Sequence, residues 1–407
     1  MQLSDVDVYD PDNYVEDVPH EMFATLRSQA PVHWHDHPLE DGFWCVTRHA
    51  DIVQVNRDWE TFSNYARSCF MNTPPDDQLE QTRMMMLNMD PPEHHQLRKL
   101  VNRGFTPRRI KVLQHVLAVR AQKIVVDIGP KGECEFVEEV AAELPLQAIA
   151  EFLGVPQADR KRIFELSNRL IGFDDPEFGE PADREEQQSA AEEMYAFAQE
   201  LASDRRANPR DDIVSDLLQG EVDGERLTDL DFNLFFLLLA VAGNETTRNA
   251  ISHSMLALIQ NPDERTRLIE HPELIDTAIE EFLRWATPVM HFRRTATKDT
   301  RIGDQDIAEG DAVVMWHISG NRDEEMFDDP YRFDVGRWPN EHLDHVAFGG
   351  GGPHFCLGAN LARAEMKVMI EAVLQRLPDM ELAGDVERLR SNFINGIKRM
   401  PVTFSPA

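Results

Sequence analysis

The chain has 407 residues, of which 42% are hydrophobic and 28% are charged, and its formal net charge is -32. This length suffices for a large buried core, while the acidic balance opposes nucleic-acid binding and favours solubility. The four cysteines show no paired spacing, which argues against a disulfide scaffold or a zinc site and is typical of a reducing compartment.

No segment of the sequence predicts attachment to a membrane. The first ten residues lack a basic region followed by an apolar core, so they are not typical of a signal peptide or an anchor. The longest apolar run, at residues 234–242, is far shorter than the ~20 residues that a membrane span needs. We therefore expect a cytoplasmic protein that binds neither membrane nor nucleic acid.

The amino-terminal part alternates helix and strand signals. Residues 21–29 have helical periodicity, residues 31–34 and 42–47 predict a β-hairpin, and the next helix begins at residue 51. From there to about residue 288 the pattern is mostly helical. The longer predicted helices lie at residues 97–105, 107–126, 138–153, 158–170, 185–206 and 229–260.

Short β-rich pieces return after the long helices. They lie at residues 293–297, 301–307 and 311–317, and an irregular stretch at 320–352 precedes a last helix at 357–376. The sequence therefore predicts a mainly α fold with small β-sheets. We expect one domain over residues 1–407, with β-rich parts at about 30–60 and 293–317.

Two segments depart from the average charge of the chain. Residues 94–111 contain no acidic residue and carry Arg98, Lys99, Arg103, Arg108, Arg109 and Lys111. On an acidic protein this basic segment indicates a docking face for an acidic partner, although the outer face of a helix is the commoner explanation. The acidic segment at 174–193 is a candidate lid, and a solvated surface loop explains it equally well.

The predicted helix at 229–260 contains the run Ala-Gly-Asn-Glu-Thr-Thr at residues 242–247. Helix interiors disfavour glycine, and paired threonines add to the cost, so the run predicts a local break in a buried helix. One explanation is room for a diatomic ligand, with Glu245 and Thr246 relaying protons toward it. The other is a kink in which a threonine hydroxyl donates to a carbonyl one turn earlier.

A cysteine follows four consecutive glycines near the carboxyl end. Residues 349–352 are glycine, and Cys356 directly precedes the last predicted helix. Helix N–H groups stabilise a thiolate at this position, as an axial iron ligand requires. The alternative is a small buried hydrophobe beside a flexible loop.

The order of these features resembles the cytochrome P450 family along essentially the whole chain. The resemblance rests on the helix motif at 242–246, the cysteine loop at 348–358, and the i, i+3 pair Glu281 and Arg284 with Arg337 as its expected third member. It implies the cytochrome P450 fold in a single large haem domain, with haem b as the cofactor. The implied activity is that of a haem-thiolate monooxygenase.

The glycine loop departs from the usual pattern of this family. The family usually has an aromatic residue seven positions before the cysteine, whereas Phe348 lies eight before Cys356. Some bacterial members that oxidise steroids and methyl-branched lipids share this longer loop. The departure therefore points to a subfamily.

The resemblance also implies roles for residues at matching positions. Cys356 would be the iron ligand, and Thr246 and Glu245 would be the catalytic pair. Further cofactor contacts are implied at His94, Arg98, Arg294, His354, Phe348 and Gly243. Haem propionates are carboxylates at the cofactor edge, so arginine and histidine donors should converge on them. The implied substrate pocket comprises Met86, Leu238, Val241, Val289, Met290, Phe292, Phe393 and Ile394.

The implied reaction is hydroxylation of an apolar small molecule, namely a terpenoid, a steroid or a branched lipid. It would use O2 and electrons from a separate ferredoxin and ferredoxin reductase, whose docking face is the basic segment, and we expect a monomer. One alternative is a haem-thiolate ligand-binding or sensor protein without turnover, against which the Glu245 and Thr246 pair argues. A cysteine nucleophile paired with His354 would need an oxyanion-hole signature, which the sequence lacks.

Overall fold

The computed structural model describes the chain except residues 37–40, 74, 103–104, 106, 172–174, 179–183, 211, 223–224 and 339–343. The helices are α1 (His20–Gln29), α2 (His49–Arg57), α3 (Asp76–Arg83), α4 (Glu93–Asn102), α5 (Pro107–Ile128), α6 (Glu143–Leu153), α7 (Arg160–Ile171), α8 (Arg184–Ala207), α9 (Ile213–Gln219), α10 (Asp229–Gln260), α11 (Pro262–Glu270), α12 (Ile275–Ala286), α13 (His317–Gly320) and α14 (Ala359–Arg376). The strands are β1 (Val32–His35), β2 (Phe43–Val46), β3 (Phe62–Ser63), β4 (Glu133–Glu135), β5 (Glu221–Val222), β6 (Glu225–Arg226), β7 (His291–Ala296), β8 (Thr300–Ile302), β9 (Gln305–Ile307), β10 (Ala312–Trp316), β11 (Glu381–Leu382), β12 (Glu387–Arg388), β13 (Ile397–Arg399) and β14 (Pro401–Thr403).

Helix α10 lies at the centre of the molecule and packs against α6, α7, α8, α12 and α14. It begins with a capping box, in which Thr228 Oγ1 accepts from the Asp231 N–H and the Asp231 carboxylate accepts from the Thr228 N–H. Apolar residues occur on almost every face of this helix, which is typical of a helix surrounded by others. It ends at Asn261, and Pro262 starts α11.

A five-stranded mixed sheet combines strands from the two β-rich parts of the chain. Its order is β1-β2-β10-β7-β3, with β2 and β10 parallel and the other neighbours antiparallel. Every residue of β10 is buried, because helices and loops cover both of its faces. This sheet and the helices together confirm the predicted mainly α fold with small sheets.

Several short strands were not predicted from the sequence. β4, β14 and β11 form a three-stranded sheet, and β12 pairs with β13. Each of these strands has only two or three residues, too few for an alternating pattern to register. The predicted helix at 138–153 is in fact a π-helical turn, Val137–Ala141, followed by α6.

The predicted acidic loop is only partly described, since residues 172–174 and 179–183 lie outside the described residues. Asp175 is 2% exposed, and its carboxylate pairs with Lys398 of β13 at 3.0 Å. Glu177 pairs with Lys398 and Arg399. The described part of this loop is therefore fixed to β13 by ion pairs.

Within the described ranges, no helix is both long and apolar enough to cross a bilayer.

Candidate active site

The cysteine loop packs against the carboxyl end of α2. Residues 349–352 all have positive φ, between 64° and 106°, a region that residues with a Cβ rarely adopt. A Cβ on Gly352 would lie 2.1 Å from the Asn56 carbonyl oxygen. The Cys356 N–H donates to the Phe348 carbonyl at 3.1 Å and closes the loop. The glycines therefore build a fixed turn against α2.

The environment of the Cys356 thiol combines burial with donors. The N–H groups of Gly358 and Ala359, at the start of α14, donate to the sulfur, and the charges of Arg98 and Arg363 are nearby. Burial nevertheless raises the pKa of Cys356, and these groups only reduce the rise. The predicted donation of helix N–H groups to the sulfur is present, and a coordinated metal, which deprotonates a thiol outright, would complete the stabilisation of the thiolate.

A stripe on α10 is accessible although the rest of this part of the helix is buried. Leu238, Ala242 and Thr246, one turn apart, are each partly or largely exposed, whereas Leu239 and Ala240 are buried. An accessible stripe inside the core indicates an internal space beside α10.

The predicted break in α10 is wrong, because the helix is uninterrupted from Asp229 to Gln260. The Thr246 hydroxyl donates to the Ala242 carbonyl at 2.8 Å, the back-bonding that was the alternative explanation. This bond satisfies the hydroxyl without opening the helix. The hydroxyl still lies on the accessible stripe.

Glu245 is buried and paired within α10. Arg248 Nη2 donates to Glu245 Oε2, and Arg248 Nη1 donates to Asn168 Oδ1 of α7 at 3.2 Å. Burial raises the pKa of Glu245, and the charge and hydrogen bond of Arg248 offset only part of this rise. Oε1 has no partner among the described residues. The carboxyl group next to Thr246 can therefore carry a proton at a higher pH than an exposed glutamate.

Arg294 places a positive charge in the interior among neutral partners. It is 4% exposed and donates to the Arg293 carbonyl at 2.8 Å and to Asn56 Oδ1 at 3.0 Å. Burial lowers its pKa to about 10, against the opposing effects of Cys69 and Asp90, so it stays charged at neutral pH. In the described part of the chain it has no ion pair, so an anion would stabilise it.

The rings of His94 and His354 lie with their centroids 4.2 Å apart and are tilted by 43° to each other. The Met89 carbonyl accepts a hydrogen bond from the His354 ring, while His94 Nδ1 and His354 Nε2 are buried without a partner among the described residues. Burial and the Arg98 charge lower the pKa of His94 to about 4, and burial and the Arg294 charge lower that of His354 well below its usual value. Both rings are therefore neutral and each has a nitrogen free for a ligand.

Arg98 contacts the cysteine loop directly. Its Nη1 donates to the Pro353 carbonyl at 3.0 Å, and its Nη2 donates to the Phe355 carbonyl. Arg98 therefore lies close enough to Cys356 for their charges to interact, and it holds the loop on both sides of His354.

The remaining two predicted cofactor residues have packing roles. A Cβ on Gly243 would lie 2.9 Å from Ile149 Cδ1, so close packing of α10 on α6 is one reason for this glycine, and its role at the cofactor stays a prediction. The Phe348 ring is partly buried, and the Arg363 guanidinium lies 4.6 Å from its centroid.

The predicted pocket residues divide by their accessibility. A cavity that admits a substrate leaves its lining accessible, and five of the eight residues are partly exposed despite lying in the core: Leu238, Val241, Val289, Phe292 and Phe393. Met86, at 8% exposure, packs in a hydrophobic cluster that consists mostly of side chains from helices α6 to α10. Met290 and Ile394, at 1% and 2%, are covered by protein. The structure therefore does not bring these two predicted residues to the accessible lining.

Two polar residues of the site were missed in the sequence. Asn56 accepts from Arg294, and its Nδ2 lies 3.4 Å from His317 Nε2, so it joins α2, β7 and α13. Burial and the Arg294 charge lower the pKa of His317 to about 3. No local pattern marks either residue, since only the tertiary fold brings them to Arg294.

These features fit a flat iron cofactor that carries carboxylates at its edge. A Cβ on Gly358 would meet nothing within 4 Å, which leaves open space beside Cys356. Cys356 would hold the metal. Arg294, His94 and His354, with their unsatisfied charge and nitrogens, would hold the carboxylates.

Comparison with known proteins agrees with this site. The model of the cytochrome P450 family matches residues 133–392. A steroid C26-monooxygenase of Rhodococcus jostii is 44% identical over 98% of this chain and 85% of its own length. A methyl-branched lipid omega-hydroxylase of Mycobacterium tuberculosis is 41% identical over 100% of this chain and 95% of its own. A Mycobacterium marinum cytochrome P450 in complex with pseudoionone has a TM-score of 0.88 and 41% identity, covering 95% of this chain and 94% of that chain.

The fold, the cysteine loop and these similarities show that the chain belongs to the cytochrome P450 family. It is a haem-thiolate monooxygenase, and its cofactor is haem b. The buried triad expected of this family is present, because Arg284 Nε and Arg337 Nε donate to the Glu281 carboxylate at 2.7 and 3.2 Å. The sensor alternative is not favoured.

Proposed function

We propose that this monooxygenase hydroxylates an aliphatic carbon of a steroid or a methyl-branched lipid, with terpenoids as the third class. The observation that carries the proposal is the set of accessible apolar side chains in the core, at Leu238, Val241, Val289, Phe292 and Phe393. Such a lining binds an apolar ligand by removing it from water. Relatives of similar length act on a steroid and on methyl-branched lipids.

The residues of the site would have separate roles in binding the cofactor and in supplying protons. Haem, when bound, supplies the activation of O2. The Thr246 hydroxyl, on the accessible stripe of α10, would donate a hydrogen bond to the oxygen, and the raised pKa of Glu245 lets it supply protons from the buried side. Cys356 would anchor the cofactor, and Arg294, His94 and His354 would fix its edge.

A binding screen tests the substrate class. Steroids, methyl-branched fatty acids and terpenes would be titrated into the haem protein while the spin-state change of the iron is followed, and the best ligands would then be tested for oxygenated products. We expect a Phe292→Ala variant to weaken binding of the best ligand and Met290→Leu, with its covered side chain, to leave it unchanged. No spin-state change with any ligand of these three classes would contradict the proposal.

We propose that electrons come from a ferredoxin that docks on the exposed cations of the basic segment. Arg103 lies outside the described residues, as does the side chain of Arg108, and Arg109 pairs with Asp216 at 2.6 Å. Lys99 and Lys111 are exposed and support an acidic docking partner.

Charge reversal of these two lysines tests the docking face. We expect Lys99→Glu with Lys111→Glu to raise the KM for ferredoxin about 10-fold at low salt and to flatten its salt dependence. Lys298→Glu, on the turn after β7, is a control for the change in net charge. Equal KM values in all variants would contradict this docking face.

We further propose that residues 1–407 form one haem domain and act as a monomer in the cytoplasm. All four cysteines are free, which supports a reducing compartment. Among the described residues, six of the nine large exposed apolar side chains lie in separate segments of the chain and the other three are on α5, a scatter that supports a monomer. Sedimentation of the haem protein at micromolar concentration tests the monomer, and a dimer mass would contradict it.

A further inference from the structure

We propose that Asn395 is a positioning residue that fixes two pocket segments relative to each other and to α10, and thereby determines which carbon of the substrate is oxidised. It lies in the turn between β12 and β13 and is 6% exposed. The proposal rests on the proposed function for its substrate, but the positioning itself is tested without turnover.

The two pocket segments meet in a short ladder outside the regular strands. The Met290 N–H donates to the Phe393 carbonyl at 2.8 Å, and Val289 forms an antiparallel bridge with Ile394. The Asn395 N–H donates to the Pro288 carbonyl at 3.0 Å and ends the ladder. This backbone pairing sets how the accessible side chains of the two segments face the cavity.

The ladder carries the apolar wall of the pocket. The Phe393 ring lies 5.7 Å from the rings of both Phe70 and Phe292, between centroids. The Val289 side chain is partly exposed beside them. A shift of the turn that carries Phe393 would therefore change the shape of this wall directly.

The side chain of Asn395 makes two further connections. Its Nδ2 donates to the Ala286 carbonyl, at the end of α12, at 2.6 Å. Its Oδ1 accepts from Arg388 Nη1 of β12 at 3.1 Å. Arg388 in turn pairs with Asp17 through Nη2 at 2.7 Å. The side chain therefore acts as a donor and as an acceptor toward two different segments, which the NH2 and the carbonyl oxygen of one amide provide.

Asn395 also connects the pocket to α10. His253 Nε2 donates to the Asn395 carbonyl at 3.0 Å. Burial and the Arg388 charge lower the pKa of His253 to about 3, so the ring is neutral and keeps this donor at physiological pH. His253 lies seven residues, or about two helical turns, after Thr246 on the same helix. One residue thus connects the wall that contacts substrate with the helix that carries the catalytic hydroxyl.

A strained residue lies between the two carbonyls that Asn395 binds. Thr287 has φ of 38°, which is unfavourable for a β-branched residue. Asn321 Nδ2 donates to Thr287 Oγ1 at 2.8 Å. Such strain persists only where the surroundings fix the backbone, and Asn395 fixes it at Ala286 and at Pro288. Loss of the side-chain bond to Ala286 would let Thr287 relax and would move Val289.

Asn249 provides a matched control. It is 0% exposed, and its Oδ1 accepts from the Ile397 N–H of β13 at 3.2 Å. An Asn249→Ala variant therefore removes a buried asparagine that joins α10 to β13. The residue that it binds there, Ile397, lies two positions after Asn395. The described contacts of Asn249 do not include the segment from Ala286 to Met290.

Amide hydrogen exchange of the full-length haem protein, without substrate, tests the positioning. In Asn395→Ala we expect the backbone amides of Met290 and of position 395 both to exchange at least 10-fold faster than in wild type. In Asn249→Ala we expect faster exchange only at Ile397. Should Asn395→Ala fail to fold, Asn395→Asp is used, because it keeps the acceptor for Arg388 and loses the donor to Ala286. Unchanged exchange at Met290 in the folded variant would overturn the proposal.

Product analysis tests the consequence for specificity. With cholesterol as the probe, we expect Asn395→Ala to change the ratio of side-chain hydroxylation products at least 3-fold, and Asn249→Ala to preserve it. An unchanged ratio with faster exchange at Met290 would overturn the role in specificity. If wild-type protein does not oxidise any steroid, branched lipid or terpenoid, the proposed function fails, while hydrogen exchange still decides whether Asn395 holds the two segments.

Discussion

Arg363 of α14 donates from Nε and Nη2 to the two carboxylate oxygens of Glu280 on α12, at 2.6 and 2.9 Å. The side chain of Glu280 is 5% exposed and also binds His345 Nε2 at 2.9 Å. The Arg363 guanidinium and the His345 ring both contact the Phe348 ring, whose backbone carbonyl accepts from Cys356. The pair therefore supports the cysteine loop from behind.

Removal of Glu280 tests this support. We expect Glu280→Ala to lower the free energy of unfolding by about 3 kcal/mol, because it leaves Arg363 and His345 without their shared anion. Asp276→Ala is the matched control, since Asp276 and Lys367 join the same two helices at 2.6 Å with Asp276 75% exposed. It should cost less than about 1 kcal/mol. Urea unfolding would measure both, and equal losses would contradict the account.

The same pair predicts a dependence on pH. Burial alone would raise the pKa of Glu280, but hydrogen bonds and charges from His345 and Arg363 outweigh burial and lower the pKa to about 2, from about 4.5 in the unfolded chain. A lowered pKa stabilises the fold above about pH 4.5, and this contribution is lost as the pH falls toward 2. At neutral pH the lowered pKa of Glu280 contributes about 3 kcal/mol to the free energy of unfolding.

The measurement is the difference in unfolding free energy between wild type and Glu280→Gln. We expect this difference to be constant from pH 7 to about pH 5 and to shrink as the solution is acidified further. A difference that grows on acidification would show that Glu280 is not stabilised as an anion.

Gly352 is expected to be intolerant of any side chain. Gly352→Ala combines a left-handed backbone at φ of 78° with a Cβ 2.1 Å from the Asn56 carbonyl oxygen. We expect a loss of about 3 kcal/mol or more and a reduced haem content per chain. The control is Gly310→Ala, which has φ of 93° and open space around the Cβ, and should cost about 1–2 kcal/mol. Haem content equal to wild type in Gly352→Ala would contradict the fixed geometry of the loop.

The proposed proton path through Thr246 is tested against its neighbour. We expect Thr246→Ala to lower product formation by about 100-fold and to divert electrons to hydrogen peroxide, because the hydroxyl on the accessible stripe is lost. Thr247→Ala changes a buried threonine on another face of the same helix and should preserve coupling. Product and peroxide formed per NADH consumed would be compared, and equal coupling in both variants would rule out the role of Thr246.

Much of the architecture could be predicted because long elements carry strong periodic signals. Both ends of α10 were predicted, since Thr228 caps one end and Pro262 follows the other. Strands such as β12 and β13 were missed because two or three residues carry no period, and their pairing is decided by long-range contacts.

The site was predictable where residues form a local motif and unpredictable where the fold assembles it. Cys356 and Thr246 are embedded in recognisable runs. Asn56, His317 and Asn395 each depend on a partner more than 100 positions away, so no window of sequence reveals them. The raised pKa of Cys356 was missed for a related reason, because burial outweighs the helix start in a way that a motif does not show.

The most direct test of the central claim is the difference spectrum of the reduced protein with carbon monoxide. We predict the red-shifted Soret band typical of thiolate-bound haem in wild type and in Cys134→Ser, and its loss in Cys356→Ser. A wild-type spectrum without this band, or a Cys356→Ser variant that keeps it, would contradict the assignment of Cys356 as the iron ligand.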